Sequence, residues 1–223
     1  MHYRLSIAGV AAALLLGGCS TIEERQQQRV ADIPEAGRGY VVGTFAIQCK
    51  PADASCVNEY DAQLLQFRSA DKTWEDSVAI GNYGVPTFQR QVFDYERAER
   101  AEKGKRFCVP LRPGSYGFYG FTYFIGGIAY SFKRASEFNL AFIVKPGEIT
   151  DVGKLKLTSE HGRHLLGFQV PVPGMLLLSG QPKADIDAAL QKCPERVRAW
   201  PVREASLRAM DAATPLVRMN PAP

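Results

Sequence analysis

Glu160, His161 and His164 form the one local group of side chains in this 223-residue chain that could ligate a metal or move protons. A zinc-hydrolase helix uses the H-E-x-x-H spacing, which stacks two imidazoles on one face a turn apart. Here the two histidines are three positions apart with Gly162 between them, so the segment Thr158–His164 is expected to be a polar loop without a metal. A serine nucleophile has no G-x-S-x-G elbow to sit on, and Ser115 belongs to a Pro113-Gly114 turn. Neither a Walker A sequence nor G-x-G-x-x-G occurs, so a glycine cradle for phosphate has no support. The expectation is a protein with no catalytic residue, no cofactor and no metal.

The cysteines offer different chemistry. Besides Cys19 there are four, Cys49, Cys56, Cys108 and Cys193, with no C-x-x-C pair and no Cys-His spacing of a zinc module. An even number in an oxidising compartment points to disulfides, with three possible pairings. Cys49 with Cys56 closes a loop of eight residues. Cys108 with Cys193 follows from strand phase: if Phe107, Val109 and Leu111 face the core, Cys108 faces outward, where a covering helix can bring Cys193 to it.

Aromatic side chains are the remaining candidates. Tyr116, Phe118, Tyr119, Phe121, Tyr123 and Phe124 place six rings in nine residues over both faces of one strand. Burial between two layers accounts for them. The alternative is a stacking surface for a glycan, lipid or peptide, carried by Tyr116, Tyr119 and Tyr123.

The elements that would position these residues read as strands. Period-two apolar runs begin at Tyr40 and recur at Tyr60–Arg68, Phe88–Tyr95, Phe107–Leu111, Tyr116–Ile125, Ile128–Phe132, Phe138–Val144, Thr150–Leu157 and Leu165–Val170, with Pro113-Gly114, Gly126-Gly127 and Pro146-Gly147 as turns. Pro171 and Pro173 argue against extending the last as a central strand. The mixed-charge run Glu96–Arg106 reads as a solvated hairpin connection. Asp185–Lys192 reads as a short helix capped by its aspartate and stopped by Pro194, with Ile186, Ala189, Leu190 and Cys193 on one stripe. The fold class expected is all-β, an antiparallel β-sandwich of about seven to nine strands with a short C-terminal helix. The hydrophobic fraction of 46% agrees with a packed core, and a net charge of +4 is too mild to imply nucleic acid.

The N-terminus supplies an address. His2 and Arg4 precede the apolar run Leu5–Leu16, too short for the 20 or so residues that cross a bilayer and laid out like a secretory signal. Leu16-Gly17-Gly18-Cys19 resembles the lipobox of bacterial lipoproteins. That resemblance implies cleavage before Cys19, acylation of its thiol and amine, and stable anchoring by two or more chains. In that family an aspartate after the cysteine favours inner-membrane retention, so Ser20 points to the outer membrane of a Gram-negative cell; the location expected is that membrane, with the domain facing the periplasm. The expected organisation is a signal peptide over 1–18, a lipidated N-terminus and flexible tether over 19–39, a sandwich domain over 40–172, a helical extension over 173–202 and a mobile tail over 203–223. A flexible tether of that length spans about 25 Å r.m.s.; its portion Glu23–Arg29 could instead form a short docking helix.

Two segments, FCVPLRPGSYGFYGF at Phe107–Phe121 and FIVKPGEITDVGKLKL at Phe142–Leu157, resemble the strand edges of prealbumin-like and carboxypeptidase-regulatory-like sandwiches, including envelope lipoproteins. The function expected is a lipid-anchored structural or protein-interaction module of the cell envelope without catalysis. Its partners would be the membrane, through the acyl chains, and another envelope protein. A ligand-binding lipoprotein is the first alternative and a periplasmic hydrolase the second.

Overall fold

The computed structural model describes residues 21–49, 62–81, 93–100, 102–125, 128–132, 138–163, 165, 167, 169–205, 207 and 217–219. The strands are β1 (Gly39–Cys49), β2 (Ala62–Ser69), β3 (Glu75–Gly81), β4 (Tyr95–Arg97), β5 (Glu102–Leu111), β6 (Gly114–Ile125), β7 (Ile128–Phe132), β8 (Leu140–Val144), β9 (Ile149–Arg163), β10 (Gln169–Ser179), β11 (Val202–Glu204) and β12 (Val217–Met219). The helices are α1 (Ile22–Arg29) and α2 (Lys183–Leu190). One sheet runs β12-β10-β9-β1-β5-β4 with β11 beside β9, and the other runs β3-β2-β6-β7 with β8 also on β6. The expected all-β sandwich is present. Its larger sheet is mixed, because β1 with β9, β12 with β10 and β11 with β9 pair parallel.

Alternation builds the core. Val41, Phe45 and Ile47 of β1, Phe107, Val109 and Leu111 of β5, and Leu155 and Leu157 of β9 face Leu65, Phe67, Phe118, Leu140 and Phe142 of the other sheet. β6 breaks the period once: Gln66 pairs with Gly120 but Phe67 with Phe118, so Tyr119 is an extra, bulged residue. The bulge resets the phase and lets Tyr116, Phe118 and Phe121 share the core face. A second irregularity, between Val42 and Thr44 where β1 meets β9, centres on Gly153. Its φ is +73°, and a Cβ there would lie 2.5 Å from the Ser179 carbonyl oxygen.

Several expectations change. Residues 22–29 form α1 and not a flexible tether: Thr21 accepts from the Glu24 amide while the Glu24 carboxylate accepts from the Thr21 amide, a complete capping box. Ile22, Gln26 and Val30, one turn apart, are its buried stripe. The C-terminal helix starts two residues before Asp185, at Lys183 after Pro182, and no side chain caps it. Glu160 and His161 lie on β9 opposite Val172 and Pro171, not in a loop. β10 continues through Pro171 and Pro173: among the described residues β12 pairs only with Leu176–Leu178, which leaves the proline stretch on a sheet edge where two missing amides two residues apart can both face outward. Beyond 202, Val202–Glu204 and Val217–Met219 pair with β9 and β10, and Leu207 is buried in the core, so these residues do not belong to a mobile tail.

Candidate functional site

The outer face of the larger sheet carries the densest polar chemistry among the described residues. Alternation along β5 puts Glu102, Gly104, Arg106 and Cys108 on that face, opposite Phe107 and Val109, and it puts Lys154 and Lys156 of β9 beside them. Glu102 is only 1% exposed. Its carboxylate accepts from the Tyr95 hydroxyl at 2.9 Å and from the Lys154 ammonium, with the Lys156 ammonium 3.5 Å away. Burial alone would raise this carboxyl, but the hydrogen bond and charge of Lys154, the Tyr95 hydroxyl and Lys156 outweigh it and hold it below the ordinary glutamate range. The Tyr95 phenol is pushed up, first by burial and then by the Glu102 charge. Around its ring stand Arg97, Arg106 and Lys154, each between 5.2 and 5.5 Å from the centroid.

This cluster holds a helix in place. Asp185 of α2 pairs with Arg106 at 2.9 Å and with Arg97 at 3.8 Å, and Lys192 pairs with Asp94 at 2.6 Å. Next to the charges lies a second apolar core of Tyr40, Val42, Ile149, Ala189, Cys193 and Val197, against which Cys108 and Trp200 pack. Cys108 and Cys193 are disulfide-bonded with their Cα atoms 5.3 Å apart, the pairing that strand phase implied. The run Glu96–Arg106 is a hairpin connection as expected, but it is not simply solvated, since Glu102 is buried. An ionised carboxylate holding two ammonium groups and a phenol is a satisfied acceptor. It offers neither a free base nor a nucleophile near neutral pH.

A cleft of about 440 Å³ opens at the C-terminal end of α1, between the β2–β3 and β5–β6 turns. Its walls include Arg29, Asp71, Trp74, Arg112 and Tyr116. Arg29 donates to the Glu75 carbonyl at 2.6 Å and lies over the Trp74 ring, and Arg112 pairs with Asp32 at 2.7 Å. Asp71 accepts from the Ser69 hydroxyl and from the Thr73 amide and hydroxyl, which holds its carboxyl below the usual range. Each of these charged groups is engaged within the protein, so the cleft is built as a packed junction with room beside it.

The aromatic candidates fall differently. Tyr116 is in the core, stacked on Phe142 with its hydroxyl donating to the Arg112 carbonyl at 2.9 Å. Tyr119 is buried on the opposite face, donating to Glu75 at 3.2 Å beneath the Arg68 guanidinium. Neither presents a ring for stacking. The Tyr123 side chain, those of Glu160 and His161, and all of His164 lie outside the described residues, as do Cys19 and Cys56, while Cys49 ends β1. Sequence reasoning did not single out Tyr95, Glu102, Lys154 and Lys156. The signal was present in the period-two spacing Glu102-x-Gly104-x-Arg106-x-Cys108, read as charge on a turn.

Fold and site together define an all-β sandwich whose outer face is closed by a disulfide-locked helix. No protein-family model, no curated protein and no solved structure matches this chain. No described helix is long and apolar enough to cross a membrane.

Proposed function

We propose that this chain is a lipid-anchored module of the bacterial cell envelope that acts by binding or by holding position, without catalysis. The observation that carries the reading is Leu16-Gly17-Gly18-Cys19 directly after a twelve-residue apolar run. The paired state of the charges around Glu102 supports a scaffold, because groups committed to holding α2 are not poised for a reaction. The acyl chains on Cys19 would supply the membrane contact, and the exposed faces of the sandwich would meet another envelope protein. Ser20 after the acylated residue, in place of an aspartate, supports attachment to the outer membrane, and the reading puts the domain on its periplasmic side.

The test is Cys19→Ala in cells. Acyl labelling should disappear and the precursor should stay uncut before residue 19. If the variant is still processed and still partitions into detergent, the lipoprotein reading is wrong. The cleft beside Trp74 favours a ligand-binding lipoprotein as the second reading. Equilibrium dialysis against periplasmic small molecules, repeated with Trp74→Ala, separates it from the first.

A further inference from the structure

We infer that the sandwich rides directly on the bilayer, with the N-terminal end of α1 at the headgroups, and does not stand off on a long tether. The inference rests on the lipoprotein reading of Cys19. Only Ser20 and Thr21 separate that residue from Ile22, the first residue of a docked helix. Three residue steps reach at most about 10 Å. A free chain to Gly39 would have allowed about 25 Å.

The dock is what shortens the leash. Among the described residues β3 is an edge strand of its sheet, and β5 beyond its short pairing with β4 has β1 as its strand partner, so no described strand bridges the two sheets on this side of the sandwich. α1 lies across this side. Gln26, 3% exposed, donates its amide to the Ser77 carbonyl at 2.9 Å, and Arg29 donates to the Glu75 carbonyl, so two groups of the β3 edge are capped by side chains. Glu23 pairs with Lys105 at 2.9 Å, which ties the first turn of the helix to β5. Val30, 1% exposed, closes the far end. The outward side of α1 carries Glu23, Glu24, Arg25, Gln27 and Gln28, and this face has no cationic excess to attract anionic lipid. Contact is therefore imposed by chain length and acylation and not by affinity of the surface. A partner standing away from the membrane would have to reach down to this domain.

The experiment uses the full acylated protein in vesicles of phosphatidylethanolamine and phosphatidylglycerol containing headgroup spin-labelled lipid. A fluorescent amino acid is placed by codon suppression at the exposed Arg25, which leaves the capping box intact, or at Val202. Val202 lies three strand positions and about five residues along the sheet from Lys105, on the order of 20 Å away. Quenching at position 25 should be several-fold stronger than at 202. A 20-residue Gly-Ser insertion between Ser20 and Thr21 should abolish that difference while the protein still floats with the vesicles. Equal, weak quenching at both positions in a vesicle-bound, acylated protein would overturn the apposition and leave the anchor intact. Quenching at 25 that survives the insertion would also overturn it, since surface affinity would then be the cause. Failure to acquire acyl chains or to float would remove the lipoprotein reading itself, and the apposition with it.

Discussion

Replacing Cys108 and Cys193 together by alanine removes a cross-link between residues 85 positions apart in sequence. By the chain-entropy relation, a loop of that size takes about 15 cal/mol/K from the unfolded ensemble, or about 4 to 5 kcal/mol at 25 °C. Cys193 is buried in the second apolar core, so truncation leaves a small void that costs about 1 kcal/mol more. Strain and residual structure usually reduce the entropic figure, so the expected loss is about 4 kcal/mol within a range of 2 to 5. The assay is equilibrium urea unfolding of the chain from Ser20 onward, which carries neither the apolar leader nor the acylated residue, under oxidising conditions. With a slope of about 2 kcal/mol/M, the midpoint should fall by about 2 M. Trp200, whose ring meets Tyr40 edge-on at 5.7 Å, lies at the helix end of the molecule, and its fluorescence follows the transition there. A midpoint shift below about 0.5 M at unchanged slope, or alkylatable thiols at positions 108 and 193 in the unreduced parent, would show that the cross-link does not hold α2 on the sheet.

Glu102→Gln leaves the Lys154 and Lys156 ammonium groups without their anion and should cost about 3 kcal/mol at pH 7 in urea unfolding. Because the folded Glu102 carboxyl titrates below its ordinary value of 4.5, the stability it contributes is present above that pH and is lost as pH falls through the folded value, so parent and variant should converge in acid; a difference unchanged at pH 3 would contradict the assignment. Gly153→Ala places a Cβ against the Ser179 carbonyl in a left-handed backbone conformation and should lower stability by about 3 kcal/mol, read as a loss of thermal midpoint, with Gly153→Val worse. Gln63 is fully buried on the same face of β2 as Leu65 and Phe67, and neither atom of its amide has a partner among the described residues. Gln63→Leu should therefore stabilise by about 1 kcal/mol, and a destabilised variant would reveal a partner for that amide.

Much of the sandwich was legible because burial on one face imposes period two. Ile128–Phe132 was read to the residue, and Pro146-Gly147 was read as a turn, where Gly147 takes φ +69°. The Cys108–Cys193 pairing was legible for the same reason: one residue's phase in β5 decides which side of the sheet it faces. What could not be read depended on contacts distant in sequence. Residues 22–29 are mostly polar, and only the β3 edge, with carbonyls for Gln26 and Arg29, turns them into a docked helix. β3 itself, with the sequence EDSVAIG, has too few apolar positions to stand out. The aromatic strand was ambiguous because the bulge at Tyr119 shifts the phase in mid-strand, and no local pattern announces a bulge. The charges of Glu96–Arg106 looked solvated, since each partner of Glu102 beyond Tyr95 comes from β9, some fifty residues away.

On the function proposed above, the mature protein begins at an acylated Cys19 and is held at the membrane by it. Mass spectrometry of the N-terminal peptide, taken from protein purified out of the membrane fraction of its native host, tests this most directly. The peptide should start at Cys19 and carry the added mass of three acyl chains, one on the amine and two on the thioether-linked diacylglycerol. A peptide that starts elsewhere, or an unmodified Cys19 on a protein found in the soluble fraction, would contradict it.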